Sequence, residues 1–157
     1  MKTPYTKLQI LLEAIGALLL ISTLLIFLFS WKTLPAEIPT HYNLAGEIDA
    51  WGTKNSVLFI PLTSLFIYIG ISIVTFFPKI WNMPFKVKPQ NAKKLYQCEK
   101  TMLIATKIEV VALFSALLIA TIKTQELSPW FLILTLGILF GTSIFFIIRM
   151  FYLNKED

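Results

Sequence analysis

Four apolar runs, each about as long as a bilayer is thick, govern what this chain can fold into. A hydrocarbon core of about 30 Å needs about 20 residues of apolar helix to cross it. Residues 10–31, 56–77, 102–122 and 129–152 meet that requirement. In lipid every backbone N–H and C=O must find a partner within the protein, and a helix does so within one segment. The expected fold is therefore an all-α membrane protein: a four-transmembrane-helix bundle forming one membrane domain over residues 1–157. Composition agrees, with 56% hydrophobic and 15% charged residues and a mean hydropathy of +0.71. Soluble domains carry about 25% charged residues. No internal repeat or low-complexity stretch breaks the pattern.

The first run is expected to stay in place rather than to be a cleaved leader. Its apolar stretch, Ala14 to Phe29, is long for a leader, and Ser30-Trp31-Lys32-Thr33 offers no small-x-small cleavage site. Orientation follows from Lys and Arg. With the N-terminus in the cytoplasm, Lys2, Lys7, Lys79, Lys86, Lys88, Lys93, Lys94, Lys100, Lys107, Arg149 and Lys155 fall inside or near the inner boundary. Only Lys32, Lys54 and Lys123 fall outside. Such a bias predicts cytoplasmic N- and C-termini in a multi-pass protein of the cell membrane. The net charge of +5 thus reports topology and contact with the lipid bilayer, and no nucleic-acid partner is expected. Trp31, Trp51 and Trp130 at the outer boundary and Trp81 at the inner one fit an aromatic belt.

The basic cytoplasmic segment, residues 78–101, begins extended because of Pro84 and Pro89. Asn91 is expected to cap a helix that starts at Ala92 and continues into the third span. From Ala92 to Ile122 that helix would be about 46 Å long. Its first third must project or lie along the membrane surface, where anionic lipid attracts it.

The outer loop, residues 32–54, is too long to be a plain connection. It holds the chain's only histidine, His41, together with Glu47, Asp49, Gly46 and Gly52. Pro35 and Pro39 keep its first part extended. In an extended stretch His41 and Asn43 share one face, while Thr40 and Tyr42 share the other. A reversal at Gly46 would return Glu47 or Asp49 towards His41. The candidate ligand-binding residues are His41, Asn43, Gly46, Asp49, Trp51 and Lys54. The same residue types also suit a purely structural turn, with a His41–Asp49 clasp.

The loop pattern Leu-Pro-x-x-Ile-Pro-Thr-His-x-Asn-x-x-Gly-x-x-Asp-x-Trp-Gly-x-Lys, Leu34 to Lys54, resembles a bacterial membrane domain of unknown function. That domain also forms the N-terminal part of SdpI-type immunity proteins, which protect a cell from its own killing peptide. The stretch Asn91-Ala92-Lys93-Lys94-Leu95-Tyr96 resembles the same family less specifically. SdpI-type proteins carry further helices beyond this domain, whereas four are read here. The resemblance implies an accessory or immunity protein whose outer loop recognises a ligand at the membrane surface, with a peptide toxin or another membrane protein as partner.

Two other classes stay open: a small membrane enzyme or metal-dependent protein using His41 and Asp49, and a structural membrane subunit. Neither a metal nor another cofactor is expected. His41, Glu47 and Asp49 are a poor donor set for zinc, which favours several imidazole or thiolate ligands. Cys98, the lone cysteine, falls across the membrane. Ser30 and Ser56 are level with His41, but no spacing marks a catalytic serine. The intramembrane charges Glu13, Lys107, Glu109 and Arg149 call for partners. Glu109 with Arg149, or Glu13 with Lys107, would form a structural ion pair, in preference to an ion pathway. Gly137 and Gly141 form a small-xxx-small pair, expected to pack within the bundle rather than across a dimer.

Overall fold

The computed structural model describes residues 4–155. It contains α1 (Lys7–Ser30), β1 (Glu37–Tyr42), β2 (Ile48–Thr53), α2 (Phe59–Thr75), α3 (Ala92–Lys123) and α4 (Phe131–Lys155), with 3-10 turns at Lys54–Leu58 and Pro78–Ile80. Among the described residues, four helices are long and apolar enough to cross a bilayer. The chain is a multi-pass membrane protein. Among the described residues, the one departure from all-α architecture is the antiparallel hairpin β1–β2, which forms the structured loop between the first two helices.

Local chemistry sets the helix ends. At α1 the Thr6 side chain accepts from the Gln9 backbone N–H, and the Gln9 side chain accepts from the Thr6 N–H. This capping box satisfies two donors that the first turn leaves free. α3 closes on Thr124, whose φ of 51° is left-handed, while Gln125 N–H donates to the Ala120 carbonyl at 2.9 Å. That longer bond is the reversal by which many helices stop. α3 does begin at Ala92, but Asn91 makes no side-chain cap. Its Nδ2 instead donates to the Asn154 carbonyl at 3.4 Å, joining the start of α3 to the end of α4.

α3 is the hub, packing along α1, α2 and α4, whereas α1 and α2 meet only briefly. Its buried residues Ile104, Lys107, Val111, Ser115 and Leu118 recur at the three- and four-residue steps that keep one helical stripe turned inward. α1 approaches closely at Gly16, where an added Cβ would lie 3.1 Å from Ile108 Cγ1. Higher up, the hydroxyls of Thr23 and Ser115 meet at 2.5 Å. α4 is peripheral, with Met150 its only buried residue. Gly137 and Gly141 have nothing within 4 Å of an added Cβ. Among the described residues the small-xxx-small face therefore carries no helix, contrary to the expectation of packing within the bundle. α4 instead meets α3 through larger side chains.

The basic segment does not hang free beneath the helices. Met83, Phe85 and Val87 pack on a buried cluster of Leu95, Cys98 and Met150, and Phe85 stacks edge-on against Phe151. Trp81 Nε1 donates to the Val74 carbonyl at 2.8 Å, and its ring leans on Tyr96. Apolar residues interleaved with the lysines thus strap this segment across the ends of α3 and α4. Gln97 Nε2 donates to the Pro4 carbonyl, so the start of α1 lies at this same end. The hairpin occupies the opposite end.

Candidate functional site

The hairpin is seated on the bundle by its first strand. Ile38 is buried with Leu34, Val57 and Leu118, and Phe27, Trp31, Ile60 and Ile122 close around them. This cluster ties the loop to α1, α2 and α3, so the strands stand on packed side chains. Their register pairs Glu37 with Thr53, Pro39 with Trp51, His41 with Ala50 and Tyr42 with Ile48. The pairing skips Thr40 on β1 and Asp49 on β2. Such irregularities re-aim side chains that simple alternation would place elsewhere.

The effect falls on the pair singled out from the sequence. His41 Nδ1 and Asp49 Oδ1 lie 2.5 Å apart, with side-chain exposures of 67% and 42%. The clasp is exposed and contributes no more than about 1 kcal/mol to stability. Its strength as a fold determinant is therefore small.

The tip is held by other residues. Asn43 Oδ1 accepts from the Ala45 and Glu47 backbone N–H groups at 2.9 and 3.0 Å, and its Nδ2 donates to Glu47 Oε2 at 2.8 Å. Gly46 takes a φ of 87°. Its carbonyl accepts from Leu127 N–H at 2.9 Å, and a Cβ at Gly46 would lie 2.4 Å from the Leu127 oxygen. The glycine both turns the chain and lets it touch the α3–α4 connection. The hairpin is thereby fastened at both ends, leaving the His41–Asp49 pair on its open side.

The six candidate residues form two groups. His41, Asn43, Gly46 and Asp49 build the tip. Trp51 and Lys54 belong to the base: Trp51 is 53% exposed, and Lys54 Nζ lies 4.8 Å from the centre of the Trp31 ring. Two cavities flank the hairpin. One, of about 330 Å³, lies between the tip and α3–α4, bordered by His41, Asn43, Gly46, Leu113 and Phe131. The other, of about 480 Å³, lies towards α2 and is bordered by Thr40, Gly52, Ser56 and Ile60. Ligand pockets generally span about 300–1,000 Å³. A mostly apolar hollow with a polar rim suits a ligand that is partly hydrophobic.

Catalytic or metal chemistry gains less from this geometry. Glu47 is engaged by Asn43 rather than by His41, and no three His, Cys, Asp or Glu groups come together among the described residues. His41 has Asp49 as its side-chain partner, and no serine hydroxyl bonds to it among the described residues.

The charged residues of the spans separate. Lys107 is fully buried, and its Nζ donates to Glu13 Oε2 at 2.6 Å and to Ser72 Oγ at 2.9 Å. The Tyr68 ring lies 4.5 Å from the same nitrogen. This assembly joins α1, α2 and α3. Glu109, in contrast, does not meet Arg149. Its Oε1 accepts from the Thr142 hydroxyl at 2.6 Å, and its buried Oε2 has no hydrogen-bond partner among the described residues. Of the two ion pairs expected from sequence, the Glu13–Lys107 pair forms.

Residues 18–65 match the family model of DUF1648, a domain of unknown function. The match covers the second part of α1, the hairpin and the start of α2, so the similarity centres on the seated loop. No curated protein and no solved structure matches the chain.

Proposed function

We propose that this protein is an SdpI-like membrane accessory or immunity protein whose hairpin recognises a ligand at the outer membrane surface, a killing peptide being the partner of first choice. The supporting observation is the exposed His41–Asp49 pair beside an apolar cavity of about 330 Å³, on a hairpin fixed at its base and tip. Functional groups commonly sit on loops held by a rigid scaffold. A pair that adds little stability is free to serve recognition. Orientation with both termini in the cytoplasm, as the Lys and Arg distribution favours, presents the hairpin outside. An apolar, membrane-active peptide is the kind of ligand that would meet both the polar rim and the hollow.

The test is protection. Sensitive cells expressing the full chain are challenged with an apolar killing peptide of the kind that SdpI-type proteins protect against. Survival above that of cells with an empty vector is the expected result. Equal killing of both populations, with the protein present in the membrane, would reject immunity.

A further inference from the structure

The groups at Lys107 and Glu109 face different surroundings because two residues correspond to about 200° around a helix. Lys107 turns into the α1–α2 side and finds Glu13. Glu109 turns towards α4 and finds a hydroxyl but, among the described residues, no cation. Its buried Oε2 has no hydrogen-bond partner among the described residues, and Glu109 lines a cavity of about 210 Å³ together with Ala112, Phe131, Thr135 and Ile138. A carboxylate in the apolar layer is costly unless a cation or a proton neutralises it. The cavity offers room for the former.

We propose that this α3–α4 cavity is a binding site for a small organic ammonium ion, a protonated primary amine on a compact apolar body. Three features select that chemistry. The Glu109 carboxylate on the cavity wall supplies the negative charge, and its Oε2 is an acceptor with no partner among the described residues. Thr135 Oγ1 donates to the Phe131 carbonyl at 2.7 Å and keeps lone pairs to accept an ammonium N–H. Phe131, which also lines the cavity, is an aromatic residue of the kind that attracts cations. Alanine and isoleucine leave the remainder of the cavity apolar, so a hydrated inorganic ion would lose its water without adequate replacement. This cavity adjoins the one beneath the hairpin tip, with Leu113 and Phe131 lining both. The site stands apart from peptide recognition: its charge and acceptors lie on α3 and α4, not on the hairpin.

The test titrates benzylamine into the full chain in lipid nanodiscs, with neutral benzyl alcohol as the comparator, read by ligand-observed NMR. Saturable benzylamine binding is expected, weakened by about tenfold or more in Glu109→Gln, as loss of a charge-assisted hydrogen bond implies. Thr135→Val, which keeps the shape, should weaken it several-fold, and it decides the matter if the Glu109 variant fails to assemble. Benzyl alcohol should bind weakly and equally to wild type and variants. His41→Ala with Asp49→Ala should leave benzylamine affinity unchanged, which separates this site from the hairpin's. Equal benzylamine affinity in wild type and Glu109→Gln, or no saturable binding at all, would overturn the proposal.

Discussion

Replacing Glu13 by Gln should be among the most damaging single changes in the protein, although it alters only one atom's chemistry. The change removes the counter-ion of Lys107, a side chain with no exposed surface, while leaving its volume in place. Ser72 and the Tyr68 ring would remain beside the ammonium, but neither carries a full negative charge. Removing one partner of a buried ion pair typically costs about 3–5 kcal/mol, because the other charge is stranded. Lys107→Met strands a carboxylate that is 23% exposed, so its cost should be smaller. The double variant Glu13→Gln, Lys107→Met strands no charge, and replacing both partners with neutral groups is often close to neutral. The two changes should therefore couple by about 2 kcal/mol or more, well outside the usual additivity error of about 0.5 kcal/mol. Unfolding in mixed detergent–SDS micelles, followed by helical circular dichroism, measures each corner of this cycle. A double variant whose loss equals the sum of the single losses would refute the reasoning.

Two further outcomes follow from the geometry. Gly46→Val should loosen the hairpin tip, because left-handed φ costs a residue with a Cβ about 1–2 kcal/mol and the new carbon would collide with the Leu127 carbonyl. Faster amide exchange at residues 42–48 with unchanged helix content is the expected signature, and unaltered exchange would count against the double role of this glycine. For topology, the natural thiol Cys98 is buried and makes a poor reporter. In a Cys98→Ser background, Leu44→Cys at the exposed tip should react with an impermeant maleimide in intact cells, and Lys79→Cys only after permeabilisation. The reverse pattern would invert the proposed orientation.

Much of this architecture is legible in the residues because lipid imposes a simple rule. Twenty apolar residues in a row have few alternatives to a helix, and the four runs appear as α1 to α4. The reversal at Gly46 and the return of Asp49 to His41 were also accessible, since glycine permits positive φ and the two side chains lie eight residues apart across a turn. The β-hairpin register was not. Alternation assigns faces by counting, whereas the skipped residues Thr40 and Asp49 interrupt the count, and nothing local in the sequence marks them. The partner of Glu109 was hidden for a related reason. Arg149 is the obvious charge on α4, but helix rotation brings Thr142 to Glu109 instead. The wrapping of residues 81–91 over the helix ends arose from Met83, Phe85 and Val87, a period-two apolar pattern overshadowed by the neighbouring lysines. Thr6 and Gln9 carried a readable signal, the Ser/Thr-x-x-Glu/Gln spacing of a capping box.

The central claim is that the hairpin serves recognition, and one double variant tests it most directly. His41→Ala with Asp49→Ala removes an exposed pair whose contribution to stability is about 1 kcal/mol or less, while Asn43, Gly46 and the Ile38 cluster still hold the hairpin. Thermal stability in detergent and protection against the killing peptide are measured on the same variant. The account predicts a melting temperature close to wild type and loss of protection. Full protection by a normally stable double variant would contradict it.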